Sequence, residues 1–129
     1  MPKKHLLTEL KLHRESRLLE ITFDDGVRFR LPCEYLRVYS PSAEVRGHAP
    51  GAWKLQLGKE NVNINDLQQV GRYAVKMVFD DGHDTGLYDW NYLYTLGNKR
   101  QELWELYLER LERAGETRNG PDPFDALEE

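Results

Sequence analysis

The triplet Asp-Asp-Gly occurs twice, each time after a run of alternating apolar residues, and this pattern constrains the fold of the chain most tightly. Leu19, Ile21 and Phe23 lead into Asp24-Asp25-Gly26, and Val27, Phe29 and Leu31 come after it. Alternation with a period of two marks a half-buried strand. A three-residue loop sets Phe23 opposite Val27, Ile21 opposite Phe29 and Leu19 opposite Leu31. A two-residue loop would set Phe23 against Arg28 and Ile21 against Arg30. The register therefore selects the three-residue loop, with Gly26 in the left-handed position of a bulged hairpin. Val75, Met77 and Phe79 run likewise into Asp80-Asp81-Gly82, and His83, Thr85 and Leu87 return, which places His83 and Thr85 on the inward face with Phe79. An aromatic, leucine-containing stretch succeeds each hairpin, Cys33 to Leu36 and Asp89 to Leu93, and each is expected to be a short helix. Two such units leave internal duplication and chance convergence on a good turn equally open.

Leu10 and Leu12 alternate with Glu9, Lys11 and His13, giving a further N-terminal strand. Leu55 and Leu57 can face Val62 and Ile64 across Gly58 to Asn61, which predicts a third hairpin. Asn65-Asp66 can cap a helical turn through Val70 that Gly71 ends. Between Ser40 and Gly51, two prolines and two glycines predict a structured loop holding one helical turn, capped by Ser40 with Pro41 first. The longest helix is expected from Asn98, as cap, to Ala114, ended by Gly115. Its apolar side is Leu103, Leu106, Tyr107 and Leu111, widened by Trp104 and Leu108. The fold class is thus α+β: antiparallel β-hairpins, short helices and one longer C-terminal helix, in a single globular domain over residues 1–114. Residues 115–129 are polar and acidic, and a disordered tail is expected there, with Phe124 and Leu127 as the alternative of a docking motif.

A net charge of -4, with both signs interspersed, argues against a nucleic-acid partner, which calls for a basic stripe. No stretch approaches the roughly 20 apolar residues of a membrane helix, and Glu9, Lys11 and His13 interrupt any signal-peptide-like run. The single cysteine, Cys33, excludes an intramolecular disulfide, and a reduced cytoplasm is the expected compartment.

Catalytic patterns are thin. The sequence holds no glycine-rich phosphate loop, paired-histidine zinc helix, serine elbow or Cys-x-x-Cys pair. The aspartate pairs precede turn glycines, where Asp bonds its own backbone. Cys33 lies near an expected helix start, yet a lone cysteine is most often a small buried hydrophobe. His48 and His83, with Glu44 and Cys33, are ordinary metal-ligand types, although nothing in the sequence fixes their separation. Tyr88, Trp90, Tyr92 and Tyr94 crowd one short segment and are not all expected to face inward. An exposed aromatic surface, accompanied by Arg37, Arg46 and Arg72, would suit recognition of a protein or ligand. The candidate binding residues are therefore His48, His83, Glu44, Trp90, Tyr88 and Arg37.

The strings Ile21 to Gly26, Leu31 to His48 and Val62 to Leu93 resemble the gamma-butyrobetaine-hydroxylase-like N-terminal domain family, bacterial stand-alone members included, over about residues 6–97. Ser40-Pro41-Ser42-Ala43-Glu44 with Gly47-His48, and Asp81-Gly82-His83 with Thr85-Gly86, Tyr88 and Trp90, carry the resemblance. It implies a module that also fronts gamma-butyrobetaine and trimethyllysine dioxygenases and comes after the ATPase domain of plastid iron–sulphur carriers. In the dioxygenases such a module holds zinc through three cysteines and a histidine. Those positions fall here on Ser40, Ser42 and Val45, with the histidine near His83, so the thiolates are missing. The resemblance implies a non-catalytic accessory or binding module, with a link to iron–sulphur or metal-dependent enzymes. It would work with a protein partner and without a cofactor or oxygenase chemistry of its own. The alternative is a metal-binding protein using His48 and His83, with Cys33 a further ligand candidate.

Overall fold

The computed structural model describes residues 5–47 and 53–125. Strands β1 (Leu7–His13), β2 (Leu18–Phe23) and β3 (Arg28–Pro32) form one antiparallel sheet, in that order. Helix α1 (Cys33–Val38) and the one-turn helix α2 (Ala43–Arg46) come next. A second antiparallel sheet orders β4 (Ile64–Val70), β5 (Ala74–Phe79) and β6 (Gly86–Asp89), and leads into α3 (Trp90–Asn98) and α4 (Arg100–Arg113). The chain is an α+β fold of two sheet-and-helix units, as the alternation predicts.

The first hairpin has the expected register: Leu19 pairs with Leu31 and Ile21 with Phe29, and Gly26 has φ +85°. Its alternation works because Leu19, Ile21, Phe23 and Leu31 are all at most 1% exposed. The second hairpin departs from expectation on its return side. Phe79 N–H donates to the His83 carbonyl at 2.9 Å, but Met77 pairs with Gly86. One extra residue therefore sits in the returning strand as a bulge, which reverses the facing of the residues beyond it. His83 stays inside with Phe79, whereas Gly86 and Tyr88, rather than Thr85 and Leu87, face the core.

Two expected elements are replaced. Residues 53–63 form no strand, so the third hairpin is absent, and Ile64 instead opens β4. The helical turn expected over Asn65 to Val70 is that same strand. It pairs with β5 from Ile64–Phe79 to Val70–Ala74, as one arm of a hairpin that turns over residues 71–73. Asp66 accepts from the Leu67 amide, serving a register shift instead of a helix cap. Helix-capping chemistry lost to strand pairing across the next turn.

The helix ends also move. Ser42, not Ser40, caps α2, accepting from the Glu44 amide at 3.2 Å. Asn98 closes α3 instead of capping α4, and Lys99 stands between the two helices. Gly115, at φ +71°, ends α4 as expected. The Glu116 amide donates to Leu111 and the Gly115 amide to Glu112, the paired pattern that a left-handed residue permits. The acidic segment beyond is not the free tail expected from its composition. Arg118 grips the buried Glu34, and Phe124 packs edge-on against Tyr35 and Trp104. A charge and a ring with partners waiting in the core outweigh a polar average. Leu127 lies outside the described residues.

The two units match in detail. Each first strand shifts register at its start, between Leu7 and Glu9 and between Ile64 and Asp66. The first aspartate of each turn donates its amide to the residue just before the first strand, Asp24 to Leu6 and Asp80 to Asn63. They also clasp each other. The Tyr35 hydroxyl of α1 donates to the Leu96 carbonyl of α3, while the Tyr92 hydroxyl of α3 donates to the Tyr39 carbonyl just past α1. Asp25 of the first turn accepts from Tyr94 of α3, and Asp81 of the second turn accepts from Arg37 of α1. The pairs 35/92, 37/94 and 39/96 share one offset. α3 lies close on β3, and a methyl group at buried Gly97 would overlap the ring of Phe29.

Candidate functional site

The candidate residues gather where the end of α1 and the α2 turn meet the second Asp-Asp-Gly turn. Asp81 Oδ2 accepts from Arg37 Nε at 2.9 Å and from Lys59 Nζ at 2.6 Å, and Asp81 Oδ1 accepts from the His83 amide. Burial pushes the Asp81 carboxyl up, but Lys59, the His83 amide and Arg37 outweigh it and hold it at about 2. Asp81 thus fastens α1 to the turn that presents His83.

His83 is 6% exposed. Its Nε2 lies 2.8 Å from the Ser40 hydroxyl, and its Nδ1 lies 3.4 Å from Glu44 Oε2. Burial and the Arg37 charge lower its pKa against the pull of Glu44, which favours the neutral ring. Ser42 Oγ sits 2.7 Å from Thr85 Oγ1. A Cβ on Gly86 would stand 2.5 Å from Ser40 Oγ, so the close approach of β6 to this loop requires glycine there. Tyr88 is fully buried, its hydroxyl donating to the Leu36 carbonyl at 2.6 Å.

The structure thus brings together His83, Glu44, Arg37 and Tyr88, with Ser40 and Ser42. It does not bring in Trp90, whose Nε1–H donates to the Arg72 carbonyl beside His5 and Tyr73. Nor is Cys33 a partner of His83: its thiol faces Asn63, and burial raises its pKa to about 12. His48 lies outside the described residues. Among the described residues no group of three or more histidine, cysteine or acidic side chains could hold a metal ion. The positions that hold zinc in the resembling dioxygenases are hydrogen-bonded to one another or apolar here. Ser40 occupies His83 Nε2, Ser42 pairs with Thr85, and Val45 is 1% exposed with no donor atom. These residues do not fit the metal.

The buried state of Cys33 has a direct readout. In native protein, dithiobis-nitrobenzoate should modify Cys33 on the order of a thousandfold more slowly than an exposed thiol, because so little thiolate forms. Full reactivity should appear only in denaturant, and rapid native modification would show that the thiol is accessible.

Next to this seam lies an open cavity of about 420 Å³ that sequence reasoning did not locate. Tyr92, Thr95 and Leu96 reach it from α3, Lys99 from the joint between the helices, and Leu103, Leu106 and Arg110 from α4, with Tyr39 and Trp53 closing the side. Each helix contributes residues three or four apart, a single face. Arg46 lies over both Trp53 and Tyr92, 5.2 Å from each ring centre. Arg110 Nη2 donates to the Trp53 carbonyl at 2.6 Å. The exposed aromatic surface expected over Tyr88 to Tyr94 is not formed. The chain passes from strand to helix at Trp90, and the change of period turns Tyr88 and Trp90 into the core and half-buries Tyr92 and Tyr94.

Two three-stranded sheets, each closed by a helix and joined through a buried polar seam, define a small α+β module of two matched units. Residues 10–94 match the family model described as gamma-butyrobetaine hydroxylase-like, N-terminal. The chain belongs to that family. It is similar to a protein solved by NMR at 57% identity, with a TM-score of 0.79, covering 92% of this chain and 89% of that one. A second NMR structure is 41% identical, with a TM-score of 0.78, covering 93% and 94%. A crystal structure of a DUF971 family protein of unknown function from Acidithiobacillus ferrooxidans is 36% identical, with a TM-score of 0.60, covering 70% and 91%. A search of curated proteins gave no match. No helix among the described residues is long and apolar enough to cross a membrane.

Proposed function

We propose that this chain is a non-catalytic accessory module that acts by binding a protein partner in the cytoplasm. The observation that carries the reading is the state of Ser40, His83 and Glu44. Their connectivity is that of a hydrolytic triad, serine to Nε2 and carboxylate to Nδ1. Their burial is the reverse. In a working triad the serine meets substrate and the acid is enclosed. Here Ser40 is 0% exposed, while the Glu44 side chain is 66% exposed. A nucleophile that substrate cannot touch is a structural group, and the cluster serves to pin the α1–α2 loop against β6. The matched units then remain as a binding scaffold.

The test is isolation of the untagged protein with its companions, followed by calorimetry with any purified companion. One protein should recur and bind saturably, and the chain should carry no stoichiometric metal. A preparation with no recurring companion would count against the reading. A chelator-sensitive metal lost in His83→Ala would replace it with the metal-binding alternative, and turnover of a small molecule by the isolated chain would end it.

A further inference from the structure

We infer that the groove between α3, α4 and Trp53 is a binding site for a small organic anion with an aromatic or alkyl body. The inference stands apart from the protein-partner reading, and either can fail alone. The groove's size lies in the range of small-molecule sites, roughly 300–1,000 Å³, at about 420 Å³. Its floor is apolar and aromatic: Leu96, Leu103, Leu106, Tyr39, Trp53 and Tyr92. Such a floor takes up an apolar body, and ring faces favour flat ones.

The charge around that floor is one-signed. Lys99 and Arg110 line the groove, no aspartate or glutamate among the described residues does, and Arg46 lies over its two rings. None of these three cations has a carboxylate within ion-pair distance among the described residues, whereas Arg37, Lys59 and Arg118 all do. The chain as a whole carries a net charge of -4, so a purely cationic rim is not the average of its surface. Position explains how the fold keeps the rim free. Lys99 stands at the joint of the two helices, and Arg110 is held over the groove by its bond to the Trp53 carbonyl. Arg46 is held by the two rings. A carboxylate, sulfonate or phosphate entering with its apolar end down would meet these cations at the rim, in partly desolvated surroundings where such attraction is stronger than in open water.

Two naphthalene dyes test this directly: 8-anilino-1-naphthalenesulfonate, and the uncharged N-phenyl-1-naphthylamine, which has the same rings without the sulfonate. Fluorescence titration of the folded chain should show one saturable sulfonate site per molecule and binding of the uncharged dye on the order of tenfold weaker. Lys99→Glu should weaken the sulfonate dye about tenfold and leave the uncharged dye unchanged, and Leu106→Asp should weaken both. Lys99 and Leu106 are both exposed, and circular dichroism verifies that each variant is folded. Equal affinity for the two dyes, or indifference to Lys99→Glu, would reduce the groove to a plain apolar patch and overturn the inference. Unsaturable sulfonate binding would overturn it too, and would suit a groove shaped for a segment of another protein.

Discussion

Arg118→Ala is expected to lower the unfolding free energy by about 3 kcal/mol at pH 8, with a fall in Tm on the order of 10 °C. Arg118 Nε and Nη2 donate to Glu34 Oε2 and Oε1 at 2.7 and 2.6 Å. The Glu34 side chain is 3% exposed and the Arg118 guanidinium lies over Trp104. Removing the arginine strands a carboxylate inside the fold, which costs far more than the intact pair contributes over an apolar replacement. Burial already raises the Glu34 pKa despite the arginine, and without Arg118 it must rise further. That fixes the sign of the pH dependence. A carboxyl with a raised folded pKa binds its proton more tightly when folded, so the ionised form costs stability above that pKa, and the cost fades as pH falls through it. The deficit of the variant should therefore be largest at pH 8 and shrink toward pH 5. Adding Glu34→Gln should recover at least half of it. Urea denaturation at the two pH values measures all of this, and a small, pH-independent loss would show that the segment after Gly115 does not dock.

Gly97→Ala should cost about 2 kcal/mol, against a helix preference that alone would favour alanine by about 1 kcal/mol. The added methyl would fall within the ring of Phe29, at its base rather than its far end, so the ring or the helix has to move. α3 must then lift from β3, loosening the junction of the two units. Phe29→Ala in the same chain should restore room, so the two substitutions should be non-additive by at least about 1 kcal/mol in the compensating direction. Thermal unfolding of the four proteins decides the matter: additive losses would mean that helix and strand do not touch there.

Both results concern contacts that the chain's order of residues conceals. The first hairpin was legible down to its cross-strand partners, because Phe23, Ile21 and Leu19 leave only one register that buries them together. The second was legible only to its turn, since an extra residue after Gly82 carries no mark of its own in the alternation. Asn65-Asp66 looked like a cap because capping is local, whereas the β5 ladder that claims them lies beyond Gly71. Within the site, the inward facing of His83 could be read from Phe79, but its serine partner could not, because Ser40 reaches it only after α1 has turned the chain back. Nothing in the sequence marks Arg110 and Lys99 as members of a site. The packing of two helices makes them neighbours of Trp53, and no periodicity encodes that. Glu34 gave no sign of being enclosed, as its counter-charge comes from a segment whose composition reads as unstructured.

The reciprocal clasp of α1 and α3 has a final consequence. Because each tyrosine hydroxyl is quenched by a backbone oxygen belonging to the opposite unit, neither unit can shed its companion and keep its own interior dry. Matched as they are, the units are not two small domains side by side. They are halves of one cooperative object, and a disturbance entering through either turn is shared by both.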